Sequence, residues 1–87
     1  MERIDKNDYP LLSEDLEQFH NALDNYYKEK TVSNYMDAEH SLYQMYYYMK
    51  QMKIVGYLTQ QQFDDIIITS KKEMYSVERP ITNKRNS

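Results

Sequence analysis

The sequence predicts an all-α fold, a small three-helix bundle with helices at about 13–30, 34–55 and 60–75. The first observation is composition: the 87 residues include one glycine and two prolines, and helices need few residues with special backbone angles. The second is an apolar run at alternating steps of three and four, the spacing of one helix face. Its members are Tyr35, Ala38, Leu42, Met45, Met49 and Met52. The third is a helix-capping sequence at Thr59, which predicts a hairpin between the second and third helices.

The first helix follows an N-terminal segment, residues 1–12, predicted as an irregular arm because Pro10 biases Tyr9 toward extended conformations. Ser13 offers an N-cap. A stripe at helical spacing follows, consisting of Leu16, Phe19, Leu23, Tyr26 and Tyr27. We expect this helix to end near Lys30.

The boundary between the first two helices is weakly marked. Only the β-branched pair Thr31-Val32 and the potential N-cap Ser33 separate them. One long helix through 31–33 therefore stays an alternative to two helices.

The second helix is predicted from about Asn34 to Val55, and Gly56 supplies the left-handed residue that commonly closes a helix. Tyrosines at 43, 46 and 47 widen its apolar arc to more than half of the circumference. A single neighbouring helix cannot cover so wide an arc. The second helix therefore needs two neighbours, or a partner.

The third helix begins at a capping box formed by Thr59 and Gln62, with Leu58 and Phe63 at the positions of a hydrophobic staple. Its predicted inward residues are Phe63, Ile66, Ile67, Ser70 and Met74, and Ile68 is predicted to face outward. A strand at 65–69 is the alternative suggested by β-branched residues, but a lone strand has no pairing partner. Residues 76–87 are predicted as a mobile, basic tail.

Charge is unevenly distributed along the chain. The formal net charge of −3 divides into −5 over residues 1–29, zero over 30–75 and +2 over 76–87. This distribution opposes a nucleic-acid binder, which needs clustered Lys and Arg to neutralise phosphates. The runner-up hypothesis is nevertheless a nucleic-acid-associated accessory protein that uses the tail bases Arg79, Lys84 and Arg85 together with exposed tyrosines.

The cellular location is predicted from sequence features that are absent. No apolar run approaches the roughly 20 residues that span a bilayer, and the first eight residues have no apolar segment of the signal-peptide type. Cysteine is absent, which suits a reducing compartment, so we expect a cytoplasmic protein without membrane partners. Residues with AT-rich codons, namely Tyr, Lys, Asn and Ile, make up about a third of the chain. This composition favours an AT-rich bacterial, plasmid or phage source.

Residues for catalysis or metal binding form no recognisable motif. His20 and Asp24 are four residues apart and could share one helix face, with His40 as a third ligand from the second helix. The dense Glu-x-x-His pattern of helical-bundle metal sites is missing, however. We therefore predict no metal, no cofactor, no small-molecule substrate and no enzymatic activity.

Tyrosine is the residue type that points to a function. The chain has ten tyrosines, and each combines a large apolar area with a hydroxyl that needs a partner, which suits interfaces. The predicted partner interface comprises Tyr43, Tyr47, Tyr48, Ile68 and Tyr75.

A second surface is acidic and lies on the first helix. Glu14, Glu17 and Asp24 share the side opposite its apolar stripe, and we interpret them as a solvated face, with a clasp for a basic partner as the alternative. Taken with the tyrosines, the sequence predicts a non-enzymatic protein–protein interaction module. Such a module would self-associate, or bind and regulate a larger partner, for example by inhibiting a host protein.

Overall fold

The computed structural model describes residues 2–80, which form three helices in the order predicted. Helix α1 spans Ser13–Lys28, α2 spans Val32–Ile54 and α3 spans Gln60–Tyr75. Residues 2–80 contain no strand, so the all-α prediction is confirmed and the strand alternative at 65–69 is wrong. Two tail bases of the runner-up hypothesis, Lys84 and Arg85, lie outside the described residues.

The helix starts differ from prediction at two caps. Ser13 is not an N-cap, because the 3₁₀ turn Pro10–Leu12 leads directly into α1 and Ser13 already has helical backbone angles. Ser33 is not the cap of α2, because the Thr31 hydroxyl accepts the backbone N–H of Asn34 at 3.1 Å. A side chain two residues earlier therefore begins the second helix.

Three non-helical residues, 29–31, separate α1 from α2, so the single-long-helix alternative is wrong. The backbone is extended at Glu29 and at Thr31. The side-chain amide of Asn34 donates a hydrogen bond to the Glu29 carbonyl at 2.9 Å. This bond ties the first turn of α2 to the end of α1 and fixes the bend.

The hairpin between α2 and α3 is closed by the predicted signals. Gly56 has φ of 88°, and its N–H and that of Tyr57 donate to the carbonyls of Lys53 and Met52, the Schellman pattern of a helix end. Thr59 and Gln62 form the reciprocal capping box, with hydrogen bonds of 3.1 and 3.0 Å.

The core lies where α2 packs against α1 and α3. All six residues of the α2 seam are buried, as are the five residues predicted to face inward on α3. On α1, four of the five stripe residues are buried and Tyr27 is half-buried. Helix α2 thus contacts both other helices, but the tyrosines that widen its apolar arc, Tyr43, Tyr46 and Tyr47, stay exposed.

Residues 2–12 extend this core. They contain two 3₁₀ turns, Lys6–Asp8 and Pro10–Leu12, and Leu12 is fully buried. Ile4 and Tyr9 pack against the core from the outside. Within residues 2–80, no helix has both the length and the apolar character needed to cross a membrane.

The capping box provides a test of the fold. Replacing Thr59 with Ala should lower the free energy of unfolding by about 1 kcal/mol, because the backbone N–H of Gln62 loses its acceptor, the Thr59 hydroxyl oxygen. The matched control is Ser33→Ala, which alters an exposed hydroxyl that does not cap α2 and should change stability by at most a few tenths of a kcal/mol. Urea denaturation of both variants makes the comparison, and equal effects would contradict the assignment.

Candidate functional site

Exposed apolar side chains are concentrated on the outward sides of α2 and α3. We call this surface the α2–α3 face and define it by Met36, Tyr43, Tyr46, Tyr47 and Ile54 on α2 with Ile68 and Tyr75 on α3. Each of these side chains is at least about a third exposed. Soluble monomers rarely expose large contiguous apolar surface, so the face is the candidate functional site.

Four residues of the face form a second apolar stripe along α2. Met36, Tyr43, Tyr47 and Ile54 are 59%, 55%, 67% and 74% exposed. At about 100° per residue they lie within ~20° of one line parallel to the helix axis. That line is about 150° around the helix from the centre of the buried seam. Helix α2 therefore carries two apolar stripes, one buried in the core and one facing outward.

Helix α3 joins the face through the hydroxyl of Tyr75. This hydroxyl donates a hydrogen bond to Glu39 Oε2 at 3.3 Å and is also hydrogen-bonded to Tyr43. Burial and the bond to Tyr43 raise the pKa of Tyr75, so the phenol stays protonated at neutral pH. Both rings are thus held in place by polar contacts while their apolar sides stay accessible.

A groove runs between α2 and α3 beneath these tyrosines. It is a cavity of about 200 Å³ lined by Leu42, Tyr43, Tyr46, Ile67 and Lys71. At one side the ring of Tyr46 packs on Phe63 with centroids 5.6 Å apart. Lys50 lies over Tyr46 at 5.6 Å and Lys53 over Phe63 at 4.6 Å. The two cations hold the aromatic pair by cation–π contact and leave positive charge beside the groove.

Most of the predicted interface residues lie together. Tyr43 and Tyr47 share the outward side of α2, while Ile68 and Tyr75 are one heptad apart on the outward side of α3. Tyr48 is also exposed, but it lies about 100° around α2 from Tyr47. The structure therefore places Tyr48 off the α2–α3 face.

Several exposed apolar residues were not predicted. Met36 and Ile54 complete the outward stripe of α2, and Val55, Tyr57 and Leu11 are exposed near the α2–α3 turn. The sequence contains a signal for the residues beside Gly56. The turn requires only one buried apolar residue, the staple residue Leu58. The neighbouring Val55 and Tyr57 are therefore more apolar than the turn itself requires.

The acidic surface of α1 is largely engaged by the chain itself. Lys6 Nζ lies 2.8 Å from Glu17 Oε1, and Arg3 Nη2 lies 2.8 Å from Asp24 Oδ1. These bonds hold the pKa of both carboxyl groups below the usual range. Glu14 is exposed. The N-terminal segment therefore covers two of the three predicted acidic residues.

Arg3 also reaches a buried carboxylate on α3 that sequence reasoning missed. Its Nε donates to Glu73 Oε2 at 2.8 Å, and Glu73 is only 3% exposed. One guanidinium thus links the N-terminal segment, α1 and α3. The signal was present, because Glu73 follows the inward residues Ile66 and Ser70 at helical spacing, and a charge on a core face needs a partner.

The two histidines have different environments. His20 is buried beside Arg3, and burial followed by the positive charge of Arg3 lowers its pKa. His40 is exposed on α2. Among residues 2–80, no group of three or more His, Asp or Glu side chains is arranged to hold a metal ion.

Comparison of the chain with protein-family models, with curated proteins and with solved structures finds no match. The geometry of the α2–α3 face is therefore the basis for a functional proposal.

The Arg3 bridge predicts a large effect of one side chain. Arg3→Ala should destabilise the fold by about 3 kcal/mol, the low end for breaking a buried pair, because Glu73 keeps its buried charge while Arg3 itself is partly exposed. The control Lys6→Ala removes the exposed pair with Glu17 and should leave stability unchanged within error. Urea denaturation measures both. A double variant, Arg3→Met with Glu73→Met, should recover most of the loss, and failure to do so would contradict the buried-charge explanation.

Burial of His20 predicts a pH dependence of stability. Its pKa in the folded state is below the unfolded value of 6.5, so the unfolded chain binds a proton more readily. This contribution to stability is complete above about pH 6.5 and is lost as the pH falls from that value through the lower pKa of the folded state. Denaturation at several pH values between about 7.5 and 5.5 should show falling stability in the parent and a flatter profile in His20→Gln. Identical profiles would show that His20 does not control this pH range.

Proposed function

We propose that this chain is a non-enzymatic, cytoplasmic protein–protein interaction module that binds through the α2–α3 face. The observation that carries the proposal is the outward stripe of α2, whose four apolar side chains are each more than half exposed. It extends over 19 residues, from Met36 to Ile54, or about 27 Å of helix. A stripe of this length resembles the apolar side of a helix that packs against another protein surface.

The side chains of the face suit binding rather than simple packing. Tyrosines are prominent among the residues that dominate interface energies. Tyr43 and Tyr75 are positioned by hydrogen bonds before any partner arrives, so less rotamer freedom is lost on binding. The groove floor of Leu42 and Ile67 offers an apolar pocket for a partner side chain.

The proposed role is regulatory. A domain of this size with a single dominant face acts by covering a surface, either on a second copy or on a larger partner whose own contacts it blocks. Inhibition of a host protein by a phage or mobile-element product is one form of this role that agrees with the composition.

Nucleic-acid binding stays the second candidate. Lys50 and Lys71 flank the tyrosines, as in surfaces that stack bases and contact phosphates. Acidic residues share that surface, however, with Glu39 bonded to Tyr75 and Asp64 exposed on α3. Residues 30–75 carry no net charge, which favours a protein partner.

The proposal is tested by comparing residues on and off the face. Tyr47→Ala and Ile68→Asp should each weaken binding by about tenfold or more, because they remove or charge a central apolar contact. Tyr48→Ala is the matched control, since it removes an exposed tyrosine from the same helix but off the face, and should leave binding unchanged.

Two measurements report how each variant changes binding. Sedimentation reports self-association, and capture from a host lysate with quantitative mass spectrometry reports bound partners, while circular dichroism checks that helicity is retained. Specific loss of an interaction in the first two variants supports the proposal. If all three variants behave as the parent does, the α2–α3 face is not a binding surface.

A further inference from the structure

We propose that the occupant of the α2–α3 face is a second copy of this chain, with the two α2 helices antiparallel about a two-fold axis level with Met45. This inference rests on the proposed function and names the partner for it. Three observations support it: the positions of the exposed residues along α2, the charged residues that flank them, and the surface area that these residues can bury in a dimer.

The outward stripe is symmetric about its own centre. Met36 and Ile54 are each nine residues from Met45, and Tyr43 and Tyr47 are each two residues from it. Antiparallel packing about that level places Met36 against Ile54 of the partner subunit and Tyr43 against Tyr47 of the partner subunit. A two-fold interface must be self-complementary in this way, whereas a surface for an unrelated protein has no reason to be.

Charged residues beside the stripe agree with the same arrangement. Glu39 and Lys50 lie on one flank of the stripe, about 40–60° from its line, six residues before and five after Met45. Within one chain they are about 16 Å apart along the helix axis, too far to pair. Across the two-fold axis, Glu39 meets Lys50 of the partner subunit, and the pair occurs twice. In a parallel pair, Glu39 of one subunit and Lys50 of the other would stay about 16 Å apart along the helix axis and could not pair.

The available area is sufficient for a dimer. The flank that carries Glu39 is the one on which α3 lies, because Tyr75 bonds to Glu39. The two-fold axis therefore brings both α3 helices to the same side of the α2 pair and adds Ile68 and Tyr75 to the contact. Four tyrosines that are on average half exposed contribute roughly 400 Å² at ~150–250 Å² per aromatic side chain. Three aliphatic side chains and the flanking charges bring each subunit toward the ~800 Å² of a standard interface.

A charge exchange tests the pairing in solution. Glu39→Lys and Lys50→Glu should each weaken the homodimer by about tenfold, because two opposite-charge contacts become like-charge contacts. A mixture of the two variants should form a heterodimer with the affinity of the parent, since each contact across the axis then joins opposite charges. Sedimentation equilibrium of the full chains measures all three cases. A mixture no stronger than the separate variants would overturn the pairing.

Cysteine cross-linking tests the direction of the helices, because the chain has no cysteine of its own. Met36→Cys mixed with Ile54→Cys should give a disulfide-linked dimer under mild oxidation, while each variant alone should not, because the two copies of either position are about 27 Å apart. Self-linked Met36→Cys, or a mixture that gives no cross-link, would overturn the antiparallel arrangement.

Sedimentation and partner capture together distinguish failure of this inference from failure of the proposed function. A parent protein that is monomeric at about 0.1 mM overturns the second copy as occupant. In that case, partners captured by the parent and by Tyr48→Ala but lost in Ile68→Asp would still support an interaction module. Loss of both self-association and differential capture overturns the two proposals together.

Discussion

The buried seam of α2 is the constraint on which the rest of the structure depends. Its six residues belong to one buried cluster with residues of α1 and α3, which gives the domain a single core. The seam recurs every three to four residues over the whole of α2. Its burial therefore fixes the rotation of that helix about its own axis. The residues on the opposite side are then held outward, and the four apolar residues among them stay exposed. The α2–α3 face is thus a consequence of the core.

A buried carboxylate adds a second constraint, which acts on the ends of the chain. Glu73 lies on the core side of α3, and Arg3 donates to its Oε2. Near α3, the hydroxyl of Tyr26 donates to the backbone carbonyl of Glu78. Hydrogen bonds and ion pairs of this kind depend strongly on the direction of approach. They therefore specify where the segments on either side of the three helices attach, even where they add little net stability. The acidic surface of α1 is neutralised in the same way and becomes an attachment site for residues 2–12.

Much of the candidate site could be anticipated, and the missing parts have a common cause. Tyr43, Tyr47 and Ile68 were identified because helical periodicity gives the angular position of each side chain without knowledge of the tertiary structure. Met36 and Ile54 were missed because their significance comes from sharing one line with those tyrosines on a face that no other helix covers. Tyr48 was grouped with them as an exposed aromatic residue, although the same periodicity places it about 100° around α2 from Tyr47. The bonds of Tyr75 to Glu39 and Tyr43 depend on how α3 is oriented against α2, which no local pattern specifies.

The sequence by itself determined the helices, the apolar inward residues of each helix, the closing glycine and the capping box at Thr59. These features depend on contacts within about four residues or on a periodicity that a single helix expresses. Only the tertiary structure decided that Arg3 pairs with Glu73, and that the outward stripe of α2 and the outward residues of α3 form one surface. Those outcomes depend on the relative placement of segments that are distant in sequence. Local preferences leave several such arrangements equal in free energy, and a buried charge or a helix packing angle selects one of them.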